Sequence, residues 1–289
     1  MGVNEIMKQV LITGINSYLG NQFEHYFVEN YPQIVTTKIS LRSDEWEEQN
    51  WSNFDAIIHV AGIAHNSANK NLKSIYYSVN RDLTVRVAEK AKRESVKHFI
   101  NLSSIIVYGD KKNGINKETT PEPKNFYGDS KLQADNCILR MEDHNFKVTI
   151  IRPPMIYGEN SKGNYPILAK VSKKISFFPD YPNKRSMLYV ENLSELVSLI
   201  VIHSVSGLFL PQNKEYVRTS EMVRNIAKIN NNKIKFITFL NPIISLGKKI
   251  SLINKIFGNL YYEGESSKIN FGDYQIYNLE DSIKKIESE

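Results

Sequence analysis

Residues 9–20 read QVLITGINSYLG, and NQFEHYFVEN (21–30) follows. The first five residues are dominated by Val, Leu and Ile, the mark of a short buried strand. From Leu19 the apolar residues fall at helical spacing: Leu19, Phe23, Tyr26, Phe27. Tyr31-Pro32 then stops the helix. Between strand and helix lies a turn of pattern G-x-x-S-x-x-G. Such a turn is where nucleotide-binding folds cradle a phosphate. Gly14 permits the tight turn, and Gly20 lets the helix lie close to the sheet. Ser17 occupies the position where backbone usually approaches a pyrophosphate. It adds little volume, and its hydroxyl can donate to a phosphate. The helix amides of Tyr18, Leu19 and Gly20 would point at an anion, assisted by the helix dipole. Taken alone, the loop is equally readable as a plain strand-to-helix turn.

Working outward, the alternation continues. IVTTKISL (34–41), FDAIIHVA (54–61), VKHFINLSS (96–104) and KVTIIRPP (147–154) read as further strands. Residues 70–94 read as one helix, with Ile75, Val79, Leu83 and Val87 at four-residue intervals, and 127–144 as another. Strand–helix alternation of this kind predicts a parallel sheet covered on both faces. The expected fold is therefore α/β: a Rossmann-type doubly wound sheet with a smaller C-terminal α/β domain that binds substrate. The expected division gives residues 1–155 and about 187–207 to the dinucleotide-binding domain. Residues 156–186 and 208–289 form the smaller one. MLYV (187–190) and a helix at 191–204 are expected to return to the main sheet. NPIISLGKKISLINKIFG (241–258) is amphipathic and basic. Packing inside the smaller domain is its expected role, with a membrane-surface or lid helix as the alternative.

Composition narrows the classes. Of the 289 residues, 41% are hydrophobic and 24% charged, ordinary for a globular protein. The single cysteine, Cys137, excludes an internal disulfide and suits a reduced, cytoplasmic setting. It reads as a small buried hydrophobe. Residues 1–8 lack the apolar core of a secretory signal, and residues 1–6 read as a dispensable extension. LVSLIVIHSVSGLFL (196–210) is too short to span a bilayer and reads as a buried helix followed by a strand. The net charge of +6 suits anionic ligands, and no long basic run points to nucleic acid. His59 and His65 have no metal-ligand spacing to other donors, so no metal is expected. Trp46 and Trp51 read as local packing residues.

Ligands of doubly wound sheets bind at the carboxyl ends of the strands. Gly14, Ala61-Gly62, Ser103-Ser104 and Arg152-Pro153-Pro154 all fall there. YGDSK (127–131) adds the chemistry. Tyr127 and Lys131 are four apart on a helix, so they share a face about 6 Å apart along the axis. An ammonium near a phenol stabilises phenolate and is expected to lower the phenol pKa. That makes a proton donor and acceptor for neutral pH. Ser104, at the end of the neighbouring strand, can bond the same substrate oxygen. Hydride transfer at a carbinol carbon needs this combination.

Together these motifs resemble the extended short-chain dehydrogenases/reductases of the NAD-dependent epimerase/dehydratase family, over residues 9 to about 200. TGINSYLG is similar to the family's T-G-x-x-G-x-x-G, with Ser17 as a departure. HVAGIAH (59–65) is similar to the H-x-A-G/A segment beside the adenosine and pyrophosphate. Asn80 in SVNRDLT matches the helix asparagine that orders the catalytic lysine. LSSIIVYG (102–109) and YGDSK match the serine strand and Y-x-x-x-K. RPPMIYG (152–158), with Pro154, matches the segment over the nicotinamide. RSMLYV (185–190) places Arg185 where a family arginine meets the sugar-nucleotide diphosphate. The resemblance implies Ser104, Tyr127 and Lys131 as catalytic residues and Ser104 and Arg185 as substrate-binding. Gly14, Ser17, Tyr18, Leu19, Gly20, Ala61, Gly62, Asn80, Tyr127, Lys131 and Pro154 would contact the cofactor. It implies a nucleotide-sugar substrate, a UDP-sugar being the expected one, and a homodimer through helices 70–94 and 127–144.

Family dehydratases carry Asp and Glu where this chain has Ile105 and Ile106. Isoleucine transfers no proton, so 4,6-dehydration is excluded as the expected chemistry. NAD users place a carboxylate at the end of strand two. Here KISLRSDEW (38–46) offers Ser40 and Arg42, and no carboxylate before Asp44. Arg42 suits a 2′-phosphate, so NADP is expected ahead of NAD. SLRSDEW followed by HVAGIAH is also similar to a UDP-glucose 4-epimerase-like subgroup of bacterial surface-polysaccharide pathways. That subgroup includes reductases of 4-keto-6-deoxy-N-acetylhexosamines. Reduction at C4 is the leading expectation and UDP-hexose 4-epimerisation the second. A dinucleotide sensor without catalysis is the distant third, because the tyrosine, lysine and serine are all present.

Overall fold

The structure is a computed structural model, and it describes residues 6–64, 69–111 and 113–288. Its centre is a six-stranded parallel sheet of order β2-β1-β3-β4-β5-β9. The strands are β1 (Lys8–Thr13), β2 (Ile34–Ile39), β3 (Ala56–His59), β4 (His98–Leu102), β5 (Lys147–Ile151) and, at the far edge, β9 (Gly207–Phe209). Every pair is parallel, and Thr13 is level with Ile39 and His59. The chain leaves β1 for β2 on one side and later returns to β3 on the other. That reversal opens the crevice in which such sheets hold ligands.

Helix α1 (Tyr18–Asn30) buries Phe23, Tyr26 and Phe27 against the sheet, the face its spacing predicts. It packs beside α6 (Val190–His203), whose Leu193, Leu196, Val197 and Ile200 join the same apolar cluster. The opposite face is covered by α3 (Thr84–Arg93) and α4 (Phe126–Leu139), over Val87, Ala88, Ala91 and Ile138. Trp46 and Trp51 close this second cluster as a stacked pair 5.6 Å apart.

Residues 70–94 are not the single helix that their apolar spacing predicts. A 3₁₀ turn (Lys70–Leu72) leads into α2 (Lys73–Tyr77), a π-helical stretch (Ser78–Leu83) and then α3. The buried residues are Tyr76, Asn80, Thr84 and Val87, whereas Ile75 is 45% exposed. The extra residue of the π turn rotates the later residues. Two polar side chains, Asn80 and Thr84, thereby enter the interior. The strands also end earlier than expected, and β5 stops before its two prolines, which cannot extend the ladder.

MLYV does not join the main sheet. β8 (Met187–Tyr189) pairs with β6 (Met155–Tyr157) in a separate two-stranded ribbon, and only α6 returns to the core. Gly207–Phe209 straddles the expected boundary at 207/208 and belongs to the main sheet through β5. Its register with Thr149–Ile151 extends the buried ladder by one strand. The remaining elements surround another apolar cluster, from Tyr157 to Ile283. They are α5 (Asn164–Ser172), β7 (Phe177–Pro179), α7 (Thr219–Ile229), β10 (Lys235–Ile237), α8 (Asn241–Gly247), α9 (Ser251–Phe257) and α10 (Leu279–Ser288). β10 pairs with β7.

Candidate active site

The turn after β1 is formed by Gly14 at φ +90°. Its carbonyl accepts from Ser17 N–H at 2.8 Å, and its N–H reaches the Ile39 carbonyl at 2.8 Å. Ser17 caps α1, with its Oγ accepting from Gly20 N–H at 3.0 Å. This corrects one expectation: the Gly20 amide is engaged inside the protein. The amides of Tyr18 and Leu19 have no acceptor among the described residues, so two donors of the helix start face the crevice. A Cβ on Gly20 would lie 2.5 Å from Ser17 Oγ and 3.1 Å from Ile12 Cγ2, so the serine cap itself demands glycine there. The Tyr18 hydroxyl is buried without a partner, under Gly158. Burial, then Glu159 and Glu191, push its pKa up.

At the end of β4, Ser104 caps a 3₁₀ turn (Ile105–Tyr108). Ile105 N–H is fixed on the Pro153 carbonyl at 3.0 Å. Helix α4 begins with Asn125 as its cap, accepting from Gly128 N–H at 2.9 Å. Gly128 lies against that turn: a Cβ there would come within 2.8 Å of the Ile106 carbonyl oxygen. The glycine of YGDSK thus brings the start of α4, with Tyr127, against the Ser104 turn, and Ser104 acts on the phenol. Tyr127 also meets Tyr76 edge to face at 5.9 Å.

The tyrosine pKa runs against the expectation. Burial pushes the Tyr127 phenol up to about 12; the Ser104 bond lowers it and the neighbouring Tyr76 raises it. Loss of hydration exceeds what the partners return, so the phenol is a protonated donor at neutral pH. Lys131 moves the other way, down to about 8, because burial disfavours its ammonium more than Asp135 supports it. Its Nζ donates to the Leu102 carbonyl at 2.9 Å. Its other two N–H bonds have no acceptor among the described residues, and Nζ would lie 3.2 Å from a Cβ on Gly62.

Asn80 sits opposite, fully buried. Its Oδ1 accepts from Ile63 N–H at 2.8 Å, and its Nδ2 donates to the Ile63 carbonyl at 3.0 Å and to Ser130 Oγ at 3.2 Å. Asn80 therefore fixes the Ala61-Gly62 segment against α4. Thr84 Oγ1 donates its one hydrogen to the Asn80 carbonyl at 2.9 Å. His59 Nε2 must then donate to Thr84 at 3.0 Å, and Thr13 to His59 Nδ1 at 2.9 Å. Burial and Lys131 hold the imidazole pKa near 3, so His59 is a neutral structural bridge from β1 to the π turn. His65 lies outside the described residues.

Behind Lys131 is a group that the motifs did not disclose. Asp135 is fully buried and accepts from Asn101 at 3.0 Å, Ser103 at 2.8 Å and Arg152 Nε at 3.1 Å. Arg152 reaches on to the Tyr108 hydroxyl at 2.8 Å, and its carbonyl accepts from Tyr262 at 2.5 Å. Burial pushes the Asp135 carboxyl up against the lowering by Arg152, Ser103 and Lys131. The available signal was its place one turn after Lys131, on the helix face turned inward.

The outlying residues are placed as follows. Arg42 is exposed, beyond β2, and among the described residues only its backbone N–H is bonded, to Ser40 Oγ at 3.3 Å. The nearest carboxylate, Asp44, pairs with Arg86 at 2.8 Å. Arg185 is half-buried between segments 217 and 260 and donates to the Gly258 carbonyl at 3.0 Å. Burial lowers its pKa, with no carboxylate paired to it among the described residues. Pro154 is buried at the end of the segment after β5. Cys137 is half-buried on α4, rather than buried. No group of three metal-ligating side chains occurs among the described residues.

This constellation sits at the strand ends of a doubly wound sheet, where such folds hold their ligands. Residues 10–208 match the model of the NAD dependent epimerase/dehydratase family, and the chain belongs to that family. A UDP-glucose 4-epimerase of Vibrio cholerae is 28% identical over 78% of this chain and 77% of its own length. An N-acetyl-alpha-D-glucosaminyl-diphospho-ditrans,octacis-undecaprenol 4-epimerase of Escherichia coli O157:H7 is 28% identical over 84% of this chain and 74% of its own. Among solved structures, dTDP-4-dehydrorhamnose reductase of Bacillus anthracis, in complex with NADP, superposes with a TM-score of 0.76 at 18% identity, over 96% of this chain and 98% of that one.

Proposed function

We propose that the protein is an oxidoreductase acting at C4 of a sugar carried on a diphosphate, with a nicotinamide dinucleotide as redox partner. The observation that carries this reading is Tyr127 set against the Ser104 turn beside a buried Lys131 with donors to spare. The residues present fit the dinucleotide. The free amides of Tyr18 and Leu19 would take the pyrophosphate, and the unfilled Lys131 donors would take the ribose hydroxyls. When bound, the nicotinamide supplies or accepts the hydride at C4.

The chain's own part is proton transfer and placement. Tyr127, held protonated, gives its proton to the C4 oxygen during reduction and recovers it in the reverse direction. Ser104 donates to the same oxygen and orients it. Lys131 supplies positive charge beside the developing phenolate. Asn80 holds Ile63, and with it the Ala61-Gly62 wall. Arg185 receives the diphosphate of the substrate, a role in keeping with its unpaired, partly desolvated guanidinium. Residues 156–186 and 210–289 form the substrate side, the boundary moved to leave β9 in the main sheet.

Within this class we favour net reduction of a 4-keto-6-deoxy-hexosamine linked to UDP. Asp44 is turned to Arg86, and Arg42 stands free for a 2′-phosphate, a pattern that suits NADP and cofactor exchange. The second reading is 4-epimerisation, which the two 4-epimerase relatives support; one of them carries its sugar on a lipid diphosphate rather than a nucleotide. Purified protein with NADPH and a UDP-4-keto-6-deoxy-hexosamine should lose NADPH absorbance. Interconversion of UDP-glucose and UDP-galactose without added cofactor, and no NADPH oxidation, would replace the first reading by the second.

A further inference from the structure

The helical pair α8–α9 has two apolar sides. The inner one is packed: Ile244 and Phe257 are buried, and Phe257 meets Phe178 and Tyr181 at 5.9 and 5.8 Å. This agrees with the packing role expected for residues 241–258. The outer side is not packed. Phe239, Ile243, Leu246 and Ile250 are 72%, 67%, 77% and 59% exposed. Ile243 and Leu246 are three apart and share a helix face. Large apolar side chains concentrated in one short stretch are not ordinary surface scatter.

The charge around them has one sign. From Met222 to Tyr262 the chain carries seven lysines and arginines and no carboxylate. Arg224 and Lys228 are paired with Asp180 and Glu280. Lys249 and Lys255 are exposed and form no ion pair among the described residues, and Lys248 lies over the Tyr181 ring at 4.7 Å. A two-fold contact between copies would bring these lysines against their own equivalents, with no acid in the stretch to answer them. An anionic bilayer answers both features, taking the apolar residues below its headgroups and the lysines at their level.

We propose that the outer face of α8–α9 docks on an anionic membrane surface. The docking face is joined to the substrate side of the cleft. The Gly258 carbonyl, just past α9, receives Arg185, and Tyr262 bonds the Arg152 carbonyl. A docked protein holds its diphosphate-recognising residues within one short segment of the bilayer.

The test is flotation of the full chain with vesicles of phosphatidylglycerol and phosphatidylethanolamine, beside vesicles of phosphatidylcholine alone. Binding is expected to the anionic vesicles and to weaken with salt. Ile243→Ser with Leu246→Ser should reduce it tenfold or more. Lys249→Glu with Lys255→Glu should reduce it by at least about fivefold per lysine. Each double variant should keep the wild-type melting temperature and the wild-type rate of NADPH oxidation with a soluble UDP-keto-sugar. Absence of flotation, or flotation indifferent to both variants, overturns the docking. So does a wild-type dimer that the Ile243/Leu246 variant dissociates, or a requirement for an added acidic protein. Vesicle binding by a protein with no activity on any sugar diphosphate would leave the docking standing and remove the enzymatic reading instead.

Discussion

At the β4–α4 end of the cleft, Asp135 accepts from three donors, Lys131 is tied to Leu102, and Tyr127 packs edge to face on Tyr76. At the β2 end, Arg42 lies in solvent with only its backbone N–H engaged. The chemical end is built from buried groups whose positions are fixed by one another. The other end presents a single exposed guanidinium that a ligand must order for itself. Changes at the first end should alter turnover and stability by large factors. Changes at the second should alter only which ligand is preferred.

The largest effect is expected at Tyr127, the proposed proton donor. Tyr127→Phe keeps the ring and its contact with Tyr76 but deletes the hydroxyl, and kcat should fall about 10²–10⁴-fold. Cofactor binding, followed by fluorescence quenching, should be nearly unchanged. Survival of wild-type turnover would remove Tyr127 from the mechanism and with it the contrast between the two ends. Next comes Asp135. Asp135→Ala leaves the buried Arg152 charge without its partner, and chemical denaturation should show a loss of about 3–5 kcal/mol. Asp135→Leu combined with Arg152→Met should recover most of that loss. If the double variant is as unstable as the single one, the carboxylate matters through Asn101 and Ser103, not through the ion pair.

Lys131 allows a test in which activity and stability move in opposite directions. Its pKa falls from the usual lysine value of 10.5 to about 8 in the folded protein. Between those values the unfolded chain binds more protons, so stability rises with pH across that window. Below about pH 8 the cost of the buried ammonium is fully present. Lys131→Met should therefore stabilise the ligand-free protein at pH 7 by no more than about 3.5 kcal/mol, since each pKa unit corresponds to about 1.4 kcal/mol. The gain should vanish by pH 10.5, while oxidoreductase activity is lost at every pH. A variant less stable than wild type at pH 7 would show that the bond to Leu102 outweighs desolvation.

The same contrast governs what could be read from the sequence. The strands of the parallel sheet and the Y-x-x-x-K motif follow from short apolar runs and fixed spacings, because a strand buried on both faces and a helix turn each leave a periodic trace. The π turn leaves none. Its apolar stripe, Ile75 to Val87, predicts a continuous helix, and only the need to bury Asn80 and Thr84 rotates the chain. The Tyr127 pKa was misjudged because two residues four apart reveal a charge partner but not the loss of water around it. MLYV reads like a core strand because β8 is as fully buried as the central strands of the main sheet, although its partner is β6. Asp135 stayed hidden since its meaning depends on Asn101, Ser103 and Arg152, which the sequence sets apart on two other strands.

The smallest effect is expected at Arg42, and it is the one that tests the solvent end directly. An exposed guanidinium contributes through a charge-assisted bond that solvent screens, so its removal should shift a preference and not abolish binding. Arg42→Ala should weaken NADP binding about tenfold, leave NAD binding unchanged, and leave the melting temperature where it was, with the charged-group bond contributing on the order of 1.5 kcal/mol. Raised salt should weaken NADP binding to wild type but have little further effect on the variant. Arg86→Ala should act in the opposite sense, because it releases Asp44 from its 2.8 Å ion pair and puts a free carboxylate near the same site. Equal loss of NAD and NADP affinity in Arg42→Ala would mean that the guanidinium contacts what the two ligands share, and selection between them would then belong to the backbone around Ser40.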